Sequence, residues 1–390
     1  MKRVTKLLSI FVASLLISTD ANAGYALKKK IGDVDTKLVL FGFSQLEARG
    51  GDGIIKDGDA AVKFGAQRIR LGTKYIAGPL RGKLFLDFNK VKVKDGKLKD
   101  SGIGVPDFIK DAFVAYRVSN ALTFKLGAIK MPHGMGFTIP GWNLDVVERG
   151  FDKALALERN MGFMISGRAI GDHPNCKAGH KKVNGFEMGH ERPWVGFGYD
   201  IMIANQAGRS GAVTKAKPGV DNSYALRLMY DWYQDLHTEV SYAISKQAGG
   251  KGTDDYKSLN FGIDSHLQEL NLKFEMFRSQ NLKGKSGWDE NTYAFTATYY
   301  TSPVLELALK HIQGTSSQNG KADTDLGNTY VGFNYYIAPF DDKMSRMAKK
   351  KRNAHRIQVN YVVASGDKDS WHGLKGYKDN AWLVQYQYKF

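Results

Sequence analysis

The sequence predicts an all-β protein, a transmembrane antiparallel β-barrel of about sixteen strands. Three observations carry that expectation. In the last ten residues, AWLVQYQYKF, Trp382, Val384, Tyr386, Tyr388 and Phe390 share one strand face, and Ala381, Leu383, Gln385, Gln387 and Lys389 the other. One face is aromatic and the other mostly polar, the period-2 pattern of a strand with lipid on one side and water on the other. The chain also opens on an export signal with no helical span after it. Finally, segments of about ten alternating residues repeat along the chain, and their connections sort into short and long.

Lys2, Arg3 and Lys6 give the opening a basic start, Leu7 to Ile17 is an uncharged apolar run, and Ala21-Asn22-Ala23 is a small-x-small cleavage site. Residues 1–23 therefore read as a removable secretory signal, with 24–390 as a single barrel domain. The apolar run is too short to cross a bilayer as a helix, which takes about twenty residues, and no later stretch comes close. Export without a helical span points to a bacterial outer membrane.

Composition agrees with that destination. The chain holds 19 Tyr and 21 Phe, yet its mean hydropathy is -0.36, as expected where lipid-facing and lumen-facing residues alternate. Cys176 is the only cysteine, which excludes an intramolecular disulfide and a Cys-based zinc motif. The formal charge of +17 becomes +15 once three basic residues and Asp20 leave with the signal. In an exported chain such a balance points to an anionic solute or lipopolysaccharide rather than nucleic acid.

Alternation places strands at 37–49, 63–77, 80–90, 107–118, 121–130, 160–171, 192–206, 222–234, 235–247, 256–267, 268–280, 291–302, 303–314, 327–338, 353–365 and 380–390. An even number suits a closed antiparallel barrel. Two strands show the pattern plainly: Tyr224, Leu226, Leu228, Tyr230 and Trp232 alternate with Ser223, Ala225, Arg227, Met229 and Asp231, and His355 to Val363 alternates in the same way. Short links at Gly78-Pro79, Ser119-Asn120, Gln234-Asp235, Leu267-Gln268 and Ser302-Pro303 all follow even-numbered strands, the periplasmic side. Links after odd-numbered strands are longer, and the third, 131–159, is the longest. Two even-side links, 172–191 and 339–352, are too long for turns. Val146 to Leu157 in the third outer loop reads as a short amphipathic helix.

The flanks of that loop carry a resemblance. IKDAFVAYRVSNALTFKLGAIKMPHGMG and VVERGFDKALALERNMGFMISG resemble the phosphate-selective porin O and P family, in the Lys-Asp-Ala-aromatic strand, the Gly-x-x-Lys-x-Pro entry to the third loop, the Val-flanked Glu-Arg and the Arg-x-x-Gly return strand. FGAQRIRLGTKYIAGPLRGKLFLDF, in the first strands, is also similar to that family. The resemblance covers most of the mature chain and implies a sixteen-stranded barrel, a third outer loop folded inward to narrow the channel, a homotrimer, and passage of small anions such as phosphate. The terminal strand ending on Phe390 resembles the sorting signal read by the barrel assembly machinery. The family's phosphate channels have a dense arginine ladder that does not align fully here, and Glu239, Glu269, Glu275 and Glu306 share the side of the expected lumen.

Which basic residues face inward follows from energetics. In strand 63–77, Arg68, Arg70 and Lys74 share a face opposite Ile69, Leu71 and Tyr75. A charge on the lipid face near midplane costs about 2–4 kcal/mol, so the basic face is the lumen. Lys83, Lys125, Arg227, Lys273, Lys310 and Arg356 follow by the same parity, and Lys130, Arg149 and Lys153 lie at the loop. Spaced cations along a narrow passage favour anions without holding any one too tightly. The competing reading makes them a lattice paired to the glutamates, Asp87 and Asp111, with Arg149 and Lys153 paired locally to Glu148 and Asp152. For the constriction the candidates are Arg68, Arg70, Lys125 and Lys130 from the wall, with Arg149 and Lys153 from the loop.

Asp172, His173, Cys176, His180 and His190 offer metal-type ligands in the 172–191 link, but their spacing matches no zinc pattern, and no metal or cofactor is expected. Lys349 to Arg352 form a charge run at the expected periplasmic mouth. No G-x-S-x-G or H-E-x-x-H motif and no partnered serine suggests an enzyme. The expectation is a passive, water-filled, anion-preferring channel; the alternative is an outer-membrane adhesin or structural barrel.

Overall fold

In the computed structural model the chain is described from residue 25 to 390, apart from 56–60, 92, 95–96, 99–103, 172–194, 207–220, 233–234, 247–253, 338–353, 368–373 and 375. The first strands are β1 (Tyr25–Ile31), β2 (Val34–Gly50), β3 (Lys63–Ala77) and β4 (Leu80–Asp87). A separate small hairpin, β5 (Val93–Lys94) and β6 (Lys97–Leu98), lies in the next loop. The wall resumes with β7 (Ile109–Arg117), β8 (Thr123–Lys130), β9 (Arg159–Ile170), β10 (Val195–Asn205), β11 (Asn222–Trp232), β12 (Leu236–Ser245) and β13 (Tyr256–Leu267). It is completed by β14 (Leu270–Gln280), β15 (Trp288–Ser302), β16 (Leu305–Gln318), β17 (Thr324–Tyr336), β18 (His355–Gly366) and β19 (Ala381–Lys389).

Each wall strand pairs antiparallel with the next, and β19 closes on β2, from Trp382↔Gly50 to Lys389↔Phe43. The result is a closed barrel of sixteen strands, one in each segment that alternation marks out. Closure leaves the ring no open edge, the condition under which a sheet can cross a bilayer. The short turn between β3 and β4 depends on Gly78 at φ +54°, a conformation that costs a side-chain-bearing residue more.

The wall is inverted relative to a soluble protein. Leu226, Leu228, Val240, Phe261, Phe295 and Val331 are exposed on the outside, while Arg227, Glu239, Asn260, Asn334, Gln358 and Gln385 are buried on the inside. An apolar exterior over a polar interior is stable only with lipid around it.

One wall element has no counterpart in the periodicity. β1 pairs with the first half of β2, from Tyr25↔Leu40 to Ile31↔Val34, and β19 pairs with the second half. Phe390 exchanges backbone hydrogen bonds with Gly42, N to O at 3.1 Å each way. β19 and β1 therefore lie end to end along one edge of β2. The run of Lys28, Lys29 and Lys30 masks the alternation of β1.

Residues 131–158, between β8 and β9, fold into the barrel. The expected helix over 146–157 is not there: only a 3-10 turn, Phe151–Leu155, forms in that stretch, with a four-residue helix α1 (Met135–Thr138) and a 3-10 turn Gly141–Asn143 ahead of it. Gly150 at φ +92° interrupts the helical path. The wall also offers Val147 a better partner than a helical carbonyl, since its N–H donates to Asn360 Oδ1 at 2.8 Å. Val146, Val147, Phe151, Leu155 and Leu157 pack against Phe277 and Ile312 of the wall, so the apolar core lies inside the barrel, between loop and wall.

Candidate functional site

The inward loop is seated on one side of the lumen. Its backbone polar groups, which would be costly to bury unpaired, find partners on β2, β12 to β14, β17 and β18. Ser241 Oγ accepts from Gly134 N at 3.2 Å, Glu275 Oε2 accepts from Gly136 N at 3.0 Å, and Gln45 Nε2 donates to Gly141 O at 3.0 Å. Asn334 Nδ2 donates to Asp145 O at 3.0 Å, and Gln358 Nε2 to Leu144 O at 3.2 Å.

Three sequence candidates belong to this seat rather than to the open passage. Lys273 pairs with the Asp145 carboxylate, Lys310 donates to Arg149 O, and Arg356 Nη1 donates to Leu144 O at 3.0 Å. They face inward as parity requires, but none borders the main cavity. The expectation that they line the pore is corrected on that point: the loop occupies the lumen in front of them. Glu269 is corrected too, since it lies exposed in the turn between β13 and β14.

The space left open is a cavity of about 1200 Å³ between the loop and the inner face of β3, β4 and β7 to β11. Among the described residues, sixteen Lys and Arg border it against six Asp and Glu. The other nine sequence candidates all border it. Arg68 donates to Gln45 Oε1 at 2.5 Å and to Gln67. Arg70 grips Asp87 Oδ2 through Nε and Nη2, both at 2.9 Å. Lys74 lies 5.3 Å from the Phe41 ring centre. Lys83 and Arg159 share the carboxylate of Asp111, at 2.6 and 2.7 Å. Arg227 and Arg168 share Asp200 at 2.5 and 3.0 Å, and Lys153 meets Glu158 at 2.6 Å. Lys125 stands opposite Ala115 and Met164 on the inner face.

Two cations shape the loop's leading edge. Lys130 donates to Phe137 O at 3.1 Å and Thr138 O at 3.0 Å, and Arg149 donates to Gly136 O at 3.1 Å and to Ile139 O. They satisfy the carbonyls that α1 leaves without intrahelical partners. Both also stack on Phe137, at 5.1 and 5.7 Å from its centre. Burial pulls the Arg149 guanidinium down to about 10, helped by Arg70 and Arg159 nearby. It is still charged at neutral pH.

Ion pairing and a basic cavity lining thus coexist. Acids bind many of the cations, but each of Asp111 and Asp200 serves two of them, so the surface keeps a positive excess. Arg159, Arg168, Arg81 and Lys110 also border the cavity and are absent from the sequence candidates. Arg81 and Arg168 were findable, having the parity of Lys83 and Ser166. Lys110 was not, because an irregularity opposite Phe85 and Leu86 resets the parity there.

The chain matches OmpT of Vibrio cholerae in its trimer form (TM-score 0.58, 12% identity, 91% of this chain and 99% of that one). It matches OmpF of Salmonella typhi in complex with daunomycin (0.59, 14%, 91% and 98%) and an anion-selective porin from Comamonas acidovorans (0.57, 15%, 91% and 100%). No family model and no curated protein matches the sequence. The similarity is one of fold: the chain is a closed sixteen-stranded antiparallel barrel of the kind found in the bacterial outer membrane.

Proposed function

We propose that the protein is an outer-membrane porin, a passive water-filled channel that prefers small anions, phosphate among them. The observation that carries this reading is the excess, among the described residues, of sixteen basic over six acidic residues around the cavity beside the inward loop. Cations near low-dielectric walls concentrate anions and exclude cations, and several moderate sites let an ion leave as readily as it enters. Arg68, Arg70, Lys83, Lys125 and Lys130 on the wall, with Arg149 and Lys153 on the loop, form the narrow region in this reading. An anion-selective porin among the structural neighbours is in keeping with it. The channel works as a homotrimer in contact with lipopolysaccharide, after insertion through the C-terminal strand, and needs no cofactor and no catalysis.

The test is the reversal potential of the purified protein in a planar bilayer under a KCl gradient, followed by phosphate titration of the current. A value near the chloride equilibrium potential supports the anion channel, and block by phosphate supports the finer claim. Anion preference without block leaves a general basic porin. Absence of conductance would favour the adhesin or structural barrel.

A further inference from the structure

The inner face of β2, β3, β4 and β7 carries rings as well as charges, which is unexpected in a lumen that is usually polar. Phe41 and Phe85 stack at 5.3 Å across Gly72, whose missing side chain leaves room for both rings. Phe43 meets Trp142 of the inward loop edge-on at 5.2 Å, and Trp142 meets Phe85 at 6.3 Å. Phe113 continues the row beyond Lys83, its register partner. Phe85, Phe113 and Trp142 border the cavity, and Phe113 and Trp142 are only half-buried.

Cations are threaded through the same patch. Arg70 lies 5.6 Å from the centres of both Phe43 and Phe85, and Lys83 lies 5.2 Å from Phe85. Lys74 and Lys83 stand directly opposite one another on the inner face. Asp111 at 2.6 Å offsets the charge of Lys83 in part, Arg159 shares that carboxylate, and an anion beside Lys74 and Lys83 relieves the repulsion that remains. Phe113 stands one strand away from Lys83, about 5 Å across the sheet, so one planar anion can reach both.

We infer that this patch is a binding step for organic anions with a flat aromatic body, aromatic monocarboxylates, with the ring laid against Trp142 and Phe113 and the carboxylate between Lys74 and Lys83. The inference rests on the anion-channel reading and narrows it, because a bare inorganic anion has no use for the rings. Ring stacking adds to the charge attraction without a deep trap, so the solute still moves on.

The experiment uses the full-length protein in planar bilayers, with benzoate and acetate as probes, comparing their permeabilities relative to chloride from reversal potentials. Benzoate is expected to be about three- to tenfold more permeant than acetate. Trp142→Leu should bring the ratio down to about one, and Trp142→Phe should keep most of it, a rescue that loss of packing alone would not produce. The current itself shows that each variant is assembled, and Phe113→Leu supplies an independent second reduction. Acetate passing as well as benzoate in the wild-type protein, or a ratio unmoved by both leucine variants, overturns the inference while anion preference in KCl stands. Cation preference in KCl would instead remove the reading on which it rests.

Discussion

Lys74 of β3 and Lys83 of β4 are register partners, both facing the lumen, in a sheet where opposite charges would be the stabilising choice. Asp111 pairs with Lys83 at 2.6 Å, and Phe41 lies under Lys74. The juxtaposition costs about 0.2–1 kcal/mol and keeps positive potential on the passage. Lys74→Glu is therefore expected to stabilise the wall slightly while lowering the anion-to-cation permeability ratio roughly two- to fivefold, read as a shift of reversal potential toward the potassium value. An unchanged ratio would place Lys74 outside the path of the ions.

The ion pair of Lys273 with Asp145 tests how the loop is held. Both side chains are largely shielded, at 8% and 10% exposure. Lys273→Ala removes the cation that faces the Asp145 carboxylate, and breaking a buried pair from one side costs about 3–5 kcal/mol. Open-channel current noise and proteolysis within 131–158 should both rise, and adding Asp145→Ala should recover part of the loss. Equally quiet channels in the single variant would mean that the backbone contacts to Asn334, Gln358 and Asn360 suffice.

Acid should loosen the same loop in two stages. His133 is fully buried, accepting from Leu157 N at Nδ1 (3.3 Å), and burial lowers its pKa to about 4 from 6.5. Burial alone would raise Glu158, but Lys153, to which it is hydrogen-bonded, and Arg159 hold it at about 2, below the ordinary 4.5. Both folded values are depressed, so both contributions are complete above the unfolded pKa and are lost as pH falls. The window is 6.5 to 4 for His133, amounting to about 3 kcal/mol at most, and 4.5 to 2 for Glu158. Read as the difference in thermal midpoint between the wild-type protein and His133→Leu, the first loss should appear between pH 7 and 4. A difference that stays constant over that range would contradict the burial of a neutral imidazole.

Gly72 tests the floor of the aromatic patch. A Cβ there would lie 2.7 Å from Phe41 Cζ, 2.7 Å from Phe85 Cδ2 and 2.8 Å from Leu84 O. Gly72→Ala should cost about 1–3 kcal/mol by overpacking, seen as a lower temperature for the heat-dependent gel shift. At Gly65 the nearest such contact is 3.9 Å, to Glu47 Oε1, so Gly65→Ala should leave that temperature unchanged.

Residues that repeat with the strand period were legible. Trp382, Val384 and Tyr386 face out while Gln385 and Gln387 are buried inside, because the pleat alone decides the face. Arg68, Arg70 and Lys74 were readable as lumen residues for the same reason. β1 was hidden, since Lys28 to Lys30 break the alternation and its partner β2 also pairs with the far end of the chain. Lys110 was hidden by a local irregularity in the register.

Alternation and turn chemistry by themselves determined the closed sixteen-stranded barrel and which side of each strand faces water, since both follow from a two-residue repeat and the cost of charge in lipid. Only the tertiary structure decided which inward cations border the passage. Arg70 and Lys83 do, while Lys273, Lys310 and Arg356, of equal parity, hold the loop. That difference arises because the loop's carbonyl and carboxylate groups need donors wherever its apolar residues seat it, and long-range packing chooses that place.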